Sequence, residues 1–227
     1  MVDRLNTQRV KPIRLYRPNA SPTERDAIYD AIKELIYYSD NAISRVQDPH
    51  VQLSAGIRKG QDKIDRMEKA TLLGKIQSRN THQRDVRAIV RQLEVNKNHE
   101  VDNEGQEDYY PLLILPQDLY ADDLNYILGY GKGGFGAVIS TRRLPQDEEQ
   151  RYSMLKTMIA HEMGHVFGIP ARSRTDTTNE MGRHCTNQCT MRPGNNIEDL
   201  EKIALEAQHT ETYCDPCHRD LYNYFRE

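Results

Sequence analysis

The chain has 227 residues, with 31 Lys/Arg against 34 Asp/Glu, a formal net charge of -3, 37% hydrophobic and 29% charged residues. That length can bury a proper core, and the near-balanced charge removes any global electrostatic case for nucleic acid or an anionic membrane surface. The longest aliphatic run, Leu112-Leu113-Ile114-Leu115, is far too short to cross a bilayer, and Met1 to Val10 lacks a signal-like apolar stretch, so the expectation is a soluble, cytoplasmic protein.

In chain order, Ile13–Tyr16 reads as a first strand. Ser21-Pro22-Thr23-Glu24 supplies a cap, a first-turn proline and an acidic first turn, opening a helix that buries Ile28, Ile32, Leu35 and Ile36. Between Ile57 and Glu94, ten Lys/Arg face five Asp/Glu, with Ile64, Leu72, Ile76, Val86, Ile89 and Leu93 loosely at helical spacing. A solvated helical pair with one apolar face accounts for this stretch, and a nucleic-acid-binding arm ranks behind it. The acidic, glycine-containing residues 98–108 predict a linker. Strands follow near residues 110–115, 124–128 and 137–140, with residues 129–136 as a turn-rich connection.

The strongest local signal is His161-Glu162-Met163-Gly164-His165. Histidines four residues apart share one helix face, so both imidazoles can reach one metal ion, and the neighbouring glutamate can deprotonate a water held there. Met154, Met158, His161 and His165 fall at i, i+4, i+7 and i+11, so the histidines continue an apolar stripe instead of lying on a solvated face. Gly168 and Pro170 end the helix just beyond His165. The chain must turn there if a third ligand is to come from outside the helix.

A second signal lies in Cys185, Cys189, Cys214 and Cys217, two close pairs in the last part of the chain. In a reducing compartment such spacing favours a four-thiolate zinc site; two disulfides are the alternative in a secreted protein. Asn195 and Asn196 cap a helix to about Gln208, and Pro216 suits the first turn of a last helix. Tyr213, beside Cys214, reads as a buried core tyrosine before it reads as an oxyanion donor.

Taken together, the helix motif, Gly168, His184-Cys185, Cys189-Thr190-Met191 and Cys214-Asp215-Pro216-Cys217 resemble the archaemetzincin family of metalloproteases. Its members typically show HExxHxxGxxHC, a second cysteine followed by x-Met, and a closing CxxC. Asp118-Leu119-Tyr120, Leu124-Asn125-Tyr126-Ile127-Leu128-Gly129 and Ala137-Val138-Ile139-Ser140-Thr141-Arg142-Arg143-Leu144 resemble the strands before the family's zinc helix, so the likeness covers about residues 109–227. It implies His161, His165 and His184 as catalytic zinc ligands, Glu162 as general base and Met191 as the methionine of the turn beneath the zinc. It implies Cys185, Cys189, Cys214 and Cys217 as ligands of a structural zinc, two zinc ions in all. Two departures stand out: fifteen residues, 169–183, separate Gly168 from His184 where two are usual, and three residues part Cys185 from Cys189 where four are usual. Asp176, inside the insertion, is a rival third ligand, because a carboxylate can complete a zinc triad. His184 is favoured, since Cys185 and Met191 keep the downstream register.

The expected fold is α+β and metzincin-like: a mixed sheet packed with a zinc-binding active-site helix, plus a C-terminal helical segment stabilised by a four-cysteine zinc site. One catalytic domain is expected over residues 1–227, with 1–108 an N-terminal strand and helical part, 109–183 the sheet and active-site helix, and 184–227 the third ligand, methionine turn and structural zinc. The expected function is zinc-dependent hydrolysis of peptide bonds in a peptide or protein substrate by a monomer, as endopeptidase or aminopeptidase. The edge expected to pair with an extended substrate is Leu124, Asn125, Tyr126, Ile127, Leu128 and Gly129, with Gly131 to Gly136 as its flexible turn. The alternative is a catalytically vestigial, zinc-stabilised binding protein, against which the intact Glu162 argues; a nucleic-acid-associated protein ranks last. The polar insertion, whose only large apolar residue after Ile169 is Met181, reads either as a surface excursion or as a mobile lid that can lend Asp176 to the metal.

Overall fold

The structure, a computed structural model, describes residues 5–16, 20–40, 42, 83–103, 105, 107–121 and 124–226. Residues 57–82 of the basic stretch, with Ile64, Leu72 and Ile76, lie outside them. The first half comprises β1 (Ile13–Tyr16), α1 (Pro22–Tyr38), β2 (Gln83–Asp85), α2 (Val86–Asn98), β3 (Tyr110–Leu115), β4 (Asp118–Ala121) and β5 (Leu124–Ile127). The second comprises β6 (Gly129–Lys132), β7 (Gly136–Ser140), α3 (Glu148–Val166), β8 (Thr177–Thr178), β9 (His184–Cys185), α4 (Ile197–Ala207) and α5 (Asp215–Tyr224).

A four-stranded sheet in the order β1-β3-β7-β6 is parallel except for β6, which runs antiparallel to β7. A second sheet, β2-β4-β5, and the small β8-β9 ribbon complete the strand pairing. The pleat divides the core. Ile13, Leu15, Tyr110, Leu112, Ile114, Ala137 and Ile139 point toward α1 and α3, whereas Tyr16, Leu113, Leu115 and Val138 point toward α2. The central strand β3 is therefore buried at every position, as a sheet covered on both faces requires.

Helix α1 starts as its sequence dictates: the Ser21 hydroxyl accepts from the Glu24 amide, and the Glu24 side chain reaches back to the Ser21 amide. Its stripe of Ile28, Ile32 and Leu35 is fully buried, each side chain contributing about 1.5–3 kcal/mol of transfer free energy. Glu24 also receives Arg151 of α3, and Glu34 pairs with Lys156, so two ion pairs fix α3 along α1. No helix among the described residues is long and apolar enough to cross a membrane.

Two sequence expectations are corrected. The stretch taken as a linker continues α2 as a π-helical turn, His99–Asn103, because Glu100 is drawn into the interior by Arg14 and by the Tyr109 hydroxyl. The stretch taken as a turn-rich connection contains strand β6, and only residues 133–135 turn. Its glycines serve close packing against α3, which a reading of glycine as turn punctuation misses.

Candidate active site

Helix α3 carries the histidine motif on its last two turns and is capped by Asp147, whose side chain accepts from the Gln150 amide. Strand β6 lies directly against those turns. A Cβ on Gly129 would sit 2.6 Å from Glu162 Oε1, and one on Gly131 would sit 2.2 Å from the Glu162 carbonyl oxygen. On the other side the buried Met191 presses its sulfur onto Gly164, where an added Cβ would lie 2.3 Å from Sδ. The helix is thus approached closely from both sides, by Gly129 and Gly131 of β6 and at its own Gly164.

The chain brings His184, on β9, to the same point as His161 and His165. The Nε2 atoms of His161 and His165 are 3.1 Å apart, and those of His165 and His184 are 3.3 Å apart. The other nitrogens decide the protonation. His161 Nδ1 donates to the Thr190 carbonyl at 2.7 Å, His165 Nδ1 to that of Ile169 at 3.2 Å, and His184 Nδ1 to those of Glu180 and Gly182 at 2.9 and 3.2 Å. A carbonyl only accepts, so each Nδ1 holds the proton and each neutral ring turns a bare Nε2 lone pair inward. Burial favours that neutral form, lowering the His161 pKa to about 4 and holding His165 and His184 below the ordinary histidine value. Three converging lone pairs repel one another unless a cation lies between them. Tetrahedral zinc with bonds of about 2.0–2.1 Å places its nitrogens about 3.3 Å apart, so the donor set fits the ion.

Glu162 keeps part of its surface accessible, like His161 and His165, although protein encloses it closely. Burial pushes its carboxyl up to about 8, against the opposing pull of a hydrogen bond from the Gly131 backbone.

The four sulfurs form a second cluster. Cys185 Sγ lies 3.7 Å from Cys214 Sγ and Cys189 Sγ lies 3.8 Å from Cys217 Sγ, all four within 4.8 Å of one another. A disulfide would bring two of them to about 2.05 Å; four thiolates on zinc, with bonds of about 2.3 Å, stand about 3.8 Å apart. These cysteines are free, and the spacing matches shared metal coordination. A hydrogen bond from Cys217 lowers the Cys189 thiol, while that same contact raises Cys217 and burial raises Cys214, so the sulfurs titrate as one group. His184 and Cys185 are adjacent on β9, and the alternation of an extended strand sends one to each cluster.

The sequence model of peptidase family M54 matches residues 25–223. The chain belongs to peptidase family M54. An archaemetzincin from Nanoarchaeum equitans (strain Kin4-M) is 28% identical over 120 residues, 53% of this chain and 56% of that protein. One from Archaeoglobus fulgidus is 32% identical over 92 residues, 39% of this chain and 49% of that protein. The chain spans about half the length of the curated relatives it matches. Among solved structures, the archaemetzincin of Methanopyrus kandleri superposes with a TM-score of 0.62 at 18% identity, covering 96% of this chain and 97% of that one. The Archaeoglobus fulgidus archaemetzincin, crystallised with malonate, gives 0.55 at 17% identity, covering 92% of this chain and 99% of that one. The M54 chain therefore has an archaemetzincin-like α+β fold of mixed sheets and helices.

Not every residue singled out in the M54 sequence reaches the histidines. Leu124–Ile127 forms the edge of the second sheet, where Gln83 donates to the Asn125 carbonyl and Arg143 stacks on Tyr126; Gly129, the last residue of the expected edge, lies on β6 against Glu162. The strand beside the site is β6 instead, because the chain changes sheet at Leu128. Asp176 is outside the histidine group: Arg174 and Asn187 hold its carboxylate, which Arg174 lowers to about 2. Tyr213 is buried, its hydroxyl donating to the Ala160 carbonyl at 2.6 Å. The insertion is tied down along its length, with β8 paired to β9 and the Ala171 amide donating to Asp220. Sequence reasoning missed Arg174 and the role of Gly131. Glycines two apart, on one face of a strand, are a signal that could have found the second; Arg174 has none, since its sulfur partners lie 43 and 11 residues away.

Proposed function

We propose that this M54 chain is a zinc-dependent metallopeptidase holding two zinc ions. His161, His165 and His184 hold the one that serves chemistry; Cys185, Cys189, Cys214 and Cys217 hold the one that serves structure. The observation that carries the reading is the convergence of three Nε2 atoms, two of them from the helix that carries Glu162 next to His161. When bound there, zinc supplies positive charge that acidifies water, polarises a scissile carbonyl and pulls the Glu162 carboxyl back toward its ionised form.

The chain's own residues supply the rest. Glu162 is the general base: its carboxylate takes the proton of the attacking water and hands it to the leaving amine. The carbonyls of Thr190, Ile169, Glu180 and Gly182 hold the imidazoles in the tautomer and orientation that donate to a cation. Met191, packed beneath the helix at Gly164, is the methionine turn of a metzincin-like centre. An extended peptide adds to the outer edge of β6, which pairs with no further strand among the described residues, through main-chain groups other than the Gly131 amide that Glu162 holds, and so runs past Glu162 and His165. Four free thiols suit a reducing compartment, and a cytoplasmic location belongs to the same proposal.

The test is hydrolysis of a quenched-fluorescent peptide library by zinc-loaded wild type, Glu162→Gln and His165→Ala, with metal content measured on each. Cleavage by the wild type, lost in both variants but with zinc at the histidines kept in the first, is the expected pattern. A Gln variant as active as the wild type removes Glu162 from the chemistry.

A further inference from the structure

The four sulfurs do not stand alone. Arg174, in the insertion between Gly168 and His184, is nearly buried and lays its guanidinium across two of them. Its Nη1 donates to Cys217 Sγ at 3.0 Å and its Nη2 to Cys185 Sγ at 3.0 Å. The remaining N–H groups are taken by carboxylates: Nε and Nη2 grip the two oxygens of Asp176 at 2.8 and 2.6 Å, and Nη1 meets Asp220 Oδ2 at 3.0 Å. Asp220 also accepts the Ala171 amide, and the Arg174 carbonyl accepts from Arg183, so backbone and side chain are both located. Asn187 adds its amide N–H to Cys185 Sγ and its side chain to Cys214 Sγ.

We propose that Arg174 is a positioning residue of the four-thiolate site, and that the inserted loop delivers its guanidinium to the sulfurs. The inference rests on the reading of the cysteines as a zinc site. Four thiolates around a divalent ion leave two uncompensated negative charges in a buried place, and such charge is costly unless paired. A guanidinium offers a planar fork of donors, one arm to each of two sulfurs, with edges left for the two aspartates that aim it. An ammonium is a point charge and cannot bridge sulfurs on two different strands of chain while also satisfying both carboxylates. N–H donors on a thiolate withdraw charge from sulfur, which deepens its lone pairs, slows loss of the metal and blunts its reaction with electrophiles. Asp176 and Asp220 balance the charge of Arg174, so what the insertion brings to the cysteine centre is a pair of strong N–H donors held rigidly on two sulfurs.

Cobalt(II) replaces zinc as the probe, in full-length wild type, R174A, R174K and R172A, the last removing an exposed arginine from the same loop. In R174A the sulfur-to-cobalt charge-transfer absorption moves to lower energy, and transfer of metal from the thiolates to a chelator accelerates about 10–100-fold. R174K falls between wild type and R174A, and R172A matches the wild type. Should R174A fail to fold, R174K decides: wild-type absorption and release in the lysine variant overturn the bridging role. Unchanged absorption and release in a folded R174A overturn the proposal outright. A wild type with no sulfur-to-cobalt absorption at all overturns the metal reading of the four cysteines, a failure distinct from that of Arg174.

Discussion

The three-histidine and four-cysteine clusters each take one member from successive residues of one short strand, His184 and Cys185, yet they differ in charge and exposure. The first uses neutral ligands, fixed by backbone carbonyls, and leaves His161, Glu162 and His165 partly open to solvent. The second gathers four cysteine sulfurs, mostly buried, under a guanidinium and an amide. Neutral ligands leave an ion its full charge to act on a substrate, whereas four thiolates quench that charge and turn the ion into a fastener. If both clusters bind zinc as proposed, ligand charge and access, more than the choice of metal, separate the reacting centre from the holding one.

The sharpest way to break this contrast is to remove the base. Glu162→Gln should lower peptide turnover by roughly 10²–10⁴-fold, with both metals retained by elemental analysis. His165→Ala should lose one metal of two, and the remaining one should keep a thiolate signature. Graded chelation should then separate the centres in the wild type: the histidine site, open to exchange, empties first, and hydrolysis disappears while the circular dichroism of the fold persists. Simultaneous loss of both metals would dissolve the distinction.

Smaller effects sharpen it. Gly131→Ala forces a methyl against the Glu162 carbonyl oxygen and should cost about 1–3 kcal/mol in denaturant unfolding. Acid should act on the histidine centre of metal-free protein in one direction. The folded His161 pKa lies near 4 and its ordinary value is 6.5, so the unfolded chain takes up protons first as pH falls. The stabilising contribution is complete above about 6.5 and drains away toward 4, which the midpoint of thermal unfolding should follow. The smallest change is Asp176→Asn. This carboxylate is 38% exposed, so the variant should lose only about 0.2–1 kcal/mol and keep the histidine-bound metal, which a zinc-ligating Asp176 would not allow.

What the sequence revealed was what local spacing decides. His161 and His165 share a helix face by arithmetic alone, with Glu162 one position round, and Ser21 to Glu24 announce their helix by cap chemistry. The four cysteines were legible as a set because their chemistry is rare and clustered. Strand partnership was not legible, since it depends on residues far apart: Leu124–Ile127 and Gly129–Lys132 are neighbours in sequence but belong to different sheets. Glycines at 129 and 131 answer to a helix reached only after β7, so they looked like a turn. Glu100 looked like part of a solvated linker because its partner Arg14 precedes it by 86 residues. The insertion looked unattached for the same reason, every anchor of Arg174 but Asp176 being distant.

The adjacency of His184 and Cys185 imposes a rule of parity on the gene. Upstream of His184 the chain can lengthen by many residues and still return, because the extra length bulges outward as a loop closed by β8 and β9. Between His184 and Cys185 a single added codon would rotate Cys185 through half a pleat, aiming a thiol at the imidazoles and leaving three sulfurs behind. Length is negotiable on one side of that histidine; oddness and evenness are not on the other.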